Sequence, residues 1–263
     1  MRARSALFDV YGDHLRRRGD RAPVAALVRL LEPLGIAAPA VRTAVSRMVA
    51  QGWLEPVSLD SGPGYAATDQ AIRRLDEAHA RIYAGDPADW DGRWHLVLLP
   101  PLRDRARRQR VRSGLAWAGY AEISPGTWAS PWPRPGTAEL LAQEKVDAAT
   151  AVATDFDPPT LPLAAWDLEA LAKGYADWLA VERHAPTTAS GDDDEDRAAY
   201  ARRFRLVHEW RKFLFEDPGL PDELLPSEWP GRAARAHFTS EAARLAPGAD
   251  RYVDRCLGER PHP

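Results

Sequence analysis

Residues 41–57 read Val41-Arg42-Thr43-Ala44-Val45-Ser46-Arg47-Met48-Val49-Ala50-Gln51-Gly52-Trp53-Leu54-Glu55-Pro56-Val57, and this stretch decides the fold of the N-terminal part. Val41, Ala44, Val45, Met48 and Val49 recur every three or four residues, the period of a helix that buries one face. Pro39 stands where a helix accepts a first-turn proline, and the pattern stops before Gly52. The same helix turns Arg42, Thr43, Ser46 and Arg47 outward. Trp53 to Val57 then reads as extended chain, Asp60-Ser61-Gly62-Pro63-Gly64 as a tight turn and Tyr65 to Ala67 as a returning strand. Upstream, Ser5 is the expected cap of a helix over about 6–16 with Leu7, Val10, Tyr11, His14 and Leu15 on one side. A second helix starts near Pro23, lines up Leu27, Leu30, Leu31 and Leu34, and closes at Gly35. Three short helices followed by a hairpin is the order of a winged helix-turn-helix.

Working outward, Thr68-Asp69 caps a helix to about Tyr83, and Gly85-Asp86-Pro87 marks a boundary. Trp94 to Leu99 reads as a strand, 103–118 as an Arg-studded helix, 119–124 and 127–131 as strands, 137–144 as a helix and 146–155 as a last strand. That β-α-β-β-α-β order is the one of a ferredoxin-like domain. Beyond it, residues 163–184 have helical periodicity. The polar, acidic run around 186–196 has nothing to bury and reads as a solvated loop. Helices resume at about 197–216, 227–237 and 239–257, parted by Pro- and Gly-containing stretches at 218–226 and 247–248. The expected chain is therefore α+β in three parts: a winged helix with its linker helix over 1–84, a ferredoxin-like domain over 85–160, and an all-helical domain over 161–263.

Length and composition narrow the function. With 263 residues and one cysteine, Cys256, no internal disulfide is possible, and no apolar run approaches the ~20 residues that span a bilayer. A soluble, cytoplasmic protein without a membrane partner is expected. The net charge of −3 conceals an asymmetry. Residues 1–50 carry nine Arg against four acids, whereas 136–190 carry three basic residues against nine acids. A basic N-terminal segment on an acidic body points to an anionic partner met at one end. Arg greatly outnumbers Lys, which suits bidentate contacts to phosphate and guanine, although genome composition produces the same bias.

Arg42, Thr43, Ser46 and Arg47 lie opposite the apolar stripe, where a recognition helix presents side chains to the major groove of double-stranded DNA. A solvated polar face accounts for the same four residues. Arg16, Arg17 and Arg18 end the first helix, where they can hold phosphates or simply favour the negative end of the helix dipole. The hairpin's nearby charges, Glu55 and Asp60, are acidic, so the wing is expected to read DNA weakly. Enzymatic readings do poorly. No GxSxG, P-loop, CxxC or HExxH occurs, and His208-Glu209 lacks a second His. Neither metal nor cofactor is expected from the scattered histidines. Small CRISPR-associated nucleases share the ferredoxin-like fold, but their metal-binding Asp at the end of the first strand is replaced here by Leu98-Leu99-Pro100-Pro101. In a nuclease reading, Asp89 and Asp91 would be the residues to change.

Several motifs taken in order resemble the PaaX-type repressors of phenylacetic acid catabolism. They are Tyr11-Gly12-Asp13, Arg18-Gly19, Leu34-Gly35-Ile36, the helix 41–49 and Gly52-Trp53-Leu54. The likeness continues through Trp90 to Leu96, Pro125-Gly126-Thr127-Trp128, Trp166-Asp167-Leu168, Leu206 to Leu214, Asp217 to Pro221 and Leu224 to Gly231. It spans nearly the whole chain. The resemblance implies a homodimer on a palindromic operator, released when an aryl-acyl-CoA, typically phenylacetyl-CoA, binds. Around Arg18-Gly19 the family usually has a proline and a second glycine, where this chain has Arg17 and Asp20, and 192–196 looks like an insertion. A CoA effector with its three phosphate groups would need cations and aromatic surfaces. Arg107 and Arg108 in the run 103–112, Trp128 nearby, and Arg93 and His95 beside Trp94 are the candidate effector residues. The solvated outer face of a ferredoxin-like helix is the simpler explanation of the Arg run. His208 to Lys212 can serve that pocket, a dimer contact or neither. A regulator with a non-CoA effector, or an activator, is the alternative.

Overall fold

The computed structural model describes residues 1–60, 62–83, 89–134, 136–184 and 192–258. Packing divides the chain into two units, Met1–Tyr83 with Val181–Arg211 and Arg235–Pro263, and Ala84–Ala180 with Lys212–Ala234. Among the described residues no helix is long and apolar enough to cross a membrane.

In the first unit, α1 (Ala3–Asp9) runs on through a π-helical stretch, Val10–Leu15, into a 3-10 turn, Arg16–Arg18. Gly19, at φ 74°, ends it. The helix thus begins ahead of Ser5, which is not its cap; the Ser5 hydroxyl instead accepts a hydrogen bond from Arg211. A short strand, β1 (Arg21–Pro23), precedes α2 (Val24–Leu31), and after Gly35 comes α3 (Ala38–Ala50). The hairpin strands are β2 (Leu54–Leu59) and β3 (Gly62–Ala67), and α4 (Asp69–Ile82) follows, its first turn capped by Thr68 Oγ1 accepting from the Ala71 amide at 3.3 Å. Gly62 to Gly64 therefore belong to the strand rather than to the turn, with Pro63 opposite Ser58.

The sheet order is β1-β3-β2, antiparallel throughout. With β3 in the centre, Gly64 is enclosed: a Cβ there would stand 2.7 Å from the Ala22 carbonyl oxygen and 2.6 Å from Leu59. Glycine is the residue that lets two backbones close at this point. The apolar stripes meet in one core: Leu7, Val10 and Leu15 from the first helix, Leu27, Leu30 and Leu31 from α2, and Val41, Val45 and Met48 from α3. Each such side chain contributes about 1.5–3 kcal/mol on full burial.

Two further helices complete this unit. The helix α8 (Asp192–Trp210) starts inside the run expected to be a loop. Acidity was read as solvation, but carboxylates also favour a helix N-terminus, and Asp196 is buried against Arg251 and Arg255 at 2.7 and 2.6 Å. Residues 186–191 of the expected loop lie outside the described residues. The last helix, α9 (Pro230–Leu257), is continuous where two helices and a break at 247–248 were expected. Proline at position 247 removes one backbone hydrogen bond, yet Phe238, Ala242, Leu245, Ala249 and Val253 keep one buried stripe through it. A Cβ at Gly248 would lie 2.9 Å from the Ala199 side chain, so the glycine beside Pro247 admits α8 closely.

The second unit carries β4 (Trp94–Leu98), α5 (Arg105–Trp117), β5 (Ala121–Ser124), β6 (Thr127–Ser130), α6 (Thr137–Gln143) and β7 (Ala149–Ala153). The sheet order is β5-β6-β4-β7, again antiparallel throughout. Val97, Val111, Leu115, Tyr120, Trp128, Leu141 and Val146 form the core between sheet and helices. Next along β4, Trp94 turns to the opposite face, as strand alternation requires, and its ring meets Trp90, Phe156 and Trp166 at 5.5, 6.1 and 6.1 Å. The helix expected from 163 is interrupted: Trp166 is extended, Asp167 Oδ1 accepts from the Ala170 amide at 2.9 Å, and α7 (Leu168–Arg183) begins there. Tyr175 of α7 stacks on Phe213 at 4.1 Å and its hydroxyl meets Asp217.

Candidate nucleic-acid interface and effector cleft

The sequence builds α3 as an amphipathic helix, and its two faces differ sharply. Val41, Ala44, Val45 and Met48 are buried, whereas Arg42, Thr43, Ser46 and Arg47 are all exposed. Gly35, at φ 76°, turns the chain between α2 and α3, and the Ile36 amide donates to the Leu31 carbonyl at 3.2 Å. Among the described residues neither Arg42 nor Arg47 has an ion-pair partner, so both guanidinium groups are open to an incoming acceptor. The Thr43 hydroxyl donates back to the Pro39 carbonyl at 2.9 Å and keeps acceptor capacity outward.

The three arginines ending the first helix are placed differently from one another. Arg16 is paired with Asp76. Arg18 donates to Asp254 at 2.7 Å and Asp250 at 3.2 Å, and to the His14 carbonyl at 2.8 Å. Only Arg17 is exposed without a hydrogen-bond or ion-pair partner among the described residues. Two of the three cations are thus already matched by carboxylates.

A buried polar network in the first unit escaped the sequence reading. Asp9 holds His208 at 2.6 Å and Arg211 at 2.7 Å, while Asp13 holds Arg203 at 3.0 Å and accepts from the Tyr83 hydroxyl. Burial pushes the Asp9 carboxyl up despite His208 and Arg211. Burial acts the same way on Asp13, but His14, Arg203 and Tyr83 outweigh it and hold that carboxyl below the usual range. His14, 2% exposed, is held down to about 4 by burial. The available signal was two acids four residues apart on a helix whose neighbours are apolar.

The five expected effector residues are placed differently from one another. Arg93 is exposed, 3.7 Å from Asp91. Arg107 donates to the Glu144 and Lys145 carbonyls, closing the C-terminal end of α6. Arg108 donates to the Leu102 carbonyl at 2.9 Å. Trp128 is buried in the core, with the Arg112 guanidinium 5.5 Å from its ring. His95 alone of the five lines a cleft of about 710 Å³ between α6 and the β4–β7 side of the sheet.

Three family models match the chain in succession. They are described as PaaX-like protein over residues 2–71, PaaX protein central Cas2-like domain over 87–160, and PaaX-like protein C-terminal domain over 166–255. The transcriptional repressor PaaX of Escherichia coli (strain K12) is 28% identical over 277 aligned positions, covering 98% of this chain and 86% of that protein. A solved structure, uncharacterized protein Rv0674 from Mycobacterium tuberculosis, superposes with a TM-score of 0.64 at 24% identity, covering 95% of this chain and 98% of that one. At that identity the likeness is one of fold.

Proposed function

The chain belongs to the PaaX-like family, and from that premise we propose that it is a DNA-binding transcriptional repressor of aromatic, phenylacetate-type catabolism. It works in the cytoplasm as a homodimer on a palindromic operator and is a regulator, not an enzyme. The segment from α1 to β3 acts as a winged helix-turn-helix, with α3 entering the major groove and β2–β3 as the wing. The single observation that carries this reading is the open face of α3, where Arg42, Thr43, Ser46 and Arg47 are exposed over a fully packed opposite face. Arg47 and Arg42 have the fork geometry that reads guanine O6 and N7. Arg17 adds a phosphate contact. The antiparallel order β5-β6-β4-β7 supports a ferredoxin-like reading of the central domain.

Release follows from linkage. An aryl-acyl-CoA such as phenylacetyl-CoA binds the DNA-incompetent conformation more tightly and draws the population to it. Shifting from about 99% to about 1% competent requires roughly 10⁴-fold preference, near 5.5 kcal/mol. The test is footprinting on the DNA upstream of the protein's own gene. A protected two-fold-symmetric site that phenylacetyl-CoA clears supports the proposal. Protection without symmetry, or indifferent to the ester, contradicts the dimer or the effector respectively.

A further inference from the structure

The cleft between α6 and the β4–β7 side of the central sheet has a volume of about 710 Å³, inside the ~300–1,000 Å³ of small-molecule sites. Leu96, Leu141, Val146 and Val152 give it apolar walls, and His95, Tyr120 and Thr137 bring polar atoms to it. Thr137 is the informative residue. It is 7% exposed, and its buried Oγ1 meets the Tyr120 hydroxyl but no other hydrogen-bond partner among the described residues. A hydroxyl that makes one hydrogen bond keeps capacity for another. The helix does not require it: Gly136 occupies the cap position of α6, and no side-chain cap bond forms. The Tyr120 hydroxyl lies beside Thr137, and burial pushes its phenol up, so it remains a donor at neutral pH.

The charges on the lining select among ligands. Arg134 and Asp147 oppose one another in sign. The Arg134 guanidinium is also engaged with the Pro218 carbonyl at 2.7 Å and the Ser130 hydroxyl at 3.4 Å. With no net formal charge from this pair, the lining suits a neutral carbonyl better than a carboxylate.

We infer that this cleft takes the acyl end of a small-molecule ester or thioester, an apolar aryl or alkyl body ending in a carbonyl oxygen that the Thr137 and Tyr120 hydroxyls receive. The inference rests on the repressor reading for its biological meaning, since it makes the cleft the place where the effector is sensed. It also places the sensor on elements other than those carrying the Arg-rich helix face.

The test is calorimetric titration of the full-length protein with phenylacetyl-CoA and, separately, with phenylacetate, alongside anisotropy on operator DNA. Thr137→Val removes the hydroxyl and keeps the shape. Val152→Trp narrows the cleft from a residue that is 58% exposed and tolerant of size. The expected result is ester binding at least fivefold weaker in Thr137→Val and more than tenfold weaker in Val152→Trp, with operator affinity in the absence of ester unchanged. The free acid should bind wild type more weakly than the ester. Variants that bind the ester as wild type does, while wild type still releases DNA, overturn the cleft assignment and leave the repressor reading standing. A wild-type protein that binds operator but not the ester overturns the effector reading, and the cleft assignment with it.

Discussion

Arg18 donates to Asp254 at 2.7 Å, joining the end of the first helix to the last helix of the chain across 236 positions of sequence. The two side chains are 13% and 19% exposed, so the pair is largely withdrawn from solvent. Replacing Arg18 with Ala leaves Asp254 and Asp250 without their cation and should cost roughly 1–3 kcal/mol. Arg17→Ala, at an exposed position, should leave stability unchanged but lower the salt slope of DNA binding by about one. Denaturant titration and salt-dependent anisotropy check the pair, and equal stability losses in the two variants would show the Arg18 contacts to be incidental.

Arg47 is exposed on α3 and has no hydrogen-bond or ion-pair partner among the described residues. Arg47→Ala should therefore weaken operator binding by about 1–3 kcal/mol, relax base preference at one position, and leave thermal unfolding where it was. Binding to a panel of single-base operator variants reads this directly. Unaltered affinity and preference would place recognition on another element.

His14 should make stability depend on pH. Its imidazole titrates near 6.5 when unfolded and is held down to about 4 in the folded protein by burial. Between those values the unfolded chain binds more protons, so stability falls as pH drops through that window and levels below it. At ~1.4 kcal/mol per pH unit the loss is roughly 3 kcal/mol. Asp9, pushed up by burial, works in the opposite sense, and Asp13, held low, loses its contribution only in stronger acid. His14→Gln removes the first contribution, and because Asp13 titrates in stronger acid, the wild-type-minus-variant difference between about pH 4 and 6.5 reports chiefly on His14. A difference that stays flat across the window would contradict the assignment.

Gly64→Ala should destabilise the first unit by about 1–3 kcal/mol, because the new methyl group meets the Ala22 carbonyl and Leu59 with no room to move along a central strand. Gly62→Ala, where a Cβ would meet nothing within 4 Å but φ is 113°, separates steric from conformational cost. Thermal unfolding compares the two. Full stability in Gly64→Ala would mean that β1 and β3 do not pack as closely as described.

What could be read from sequence was what repeats. The apolar stripes of α2 and α3, and the alternation of helix and strand from Trp94 to Ala153, are periodic and local, so the element order followed from them. The strand Arg21–Pro23 is too short for a period and exists because β3 offers it a partner. The continuity of α9 through Pro247 is decided by burial of Phe238 and Ala249 against other parts of the unit, which no local rule for proline contains. Asp196 looked solvated because its partners, Arg251 and Arg255, lie more than fifty positions away. The exposed quartet on α3 was legible for the same reason as its buried face. Arg107 and Arg108 stand out in the sequence by charge density, and charge density does not distinguish Arg107, which closes a helix end, from a cation facing a cavity.

In the proposed mechanism α3 binds an operator that an acyl-CoA releases. The most direct test is fluorescence anisotropy with the DNA upstream of the protein's own gene, at about 50 and 200 mM salt, with and without phenylacetyl-CoA. The expected result is specific binding that weakens with salt, is weakened in Arg47→Ala, and is released by the ester but not by phenylacetate. Specific binding that persists undiminished in Arg47→Ala, or that ignores the ester at saturating concentration, would contradict it.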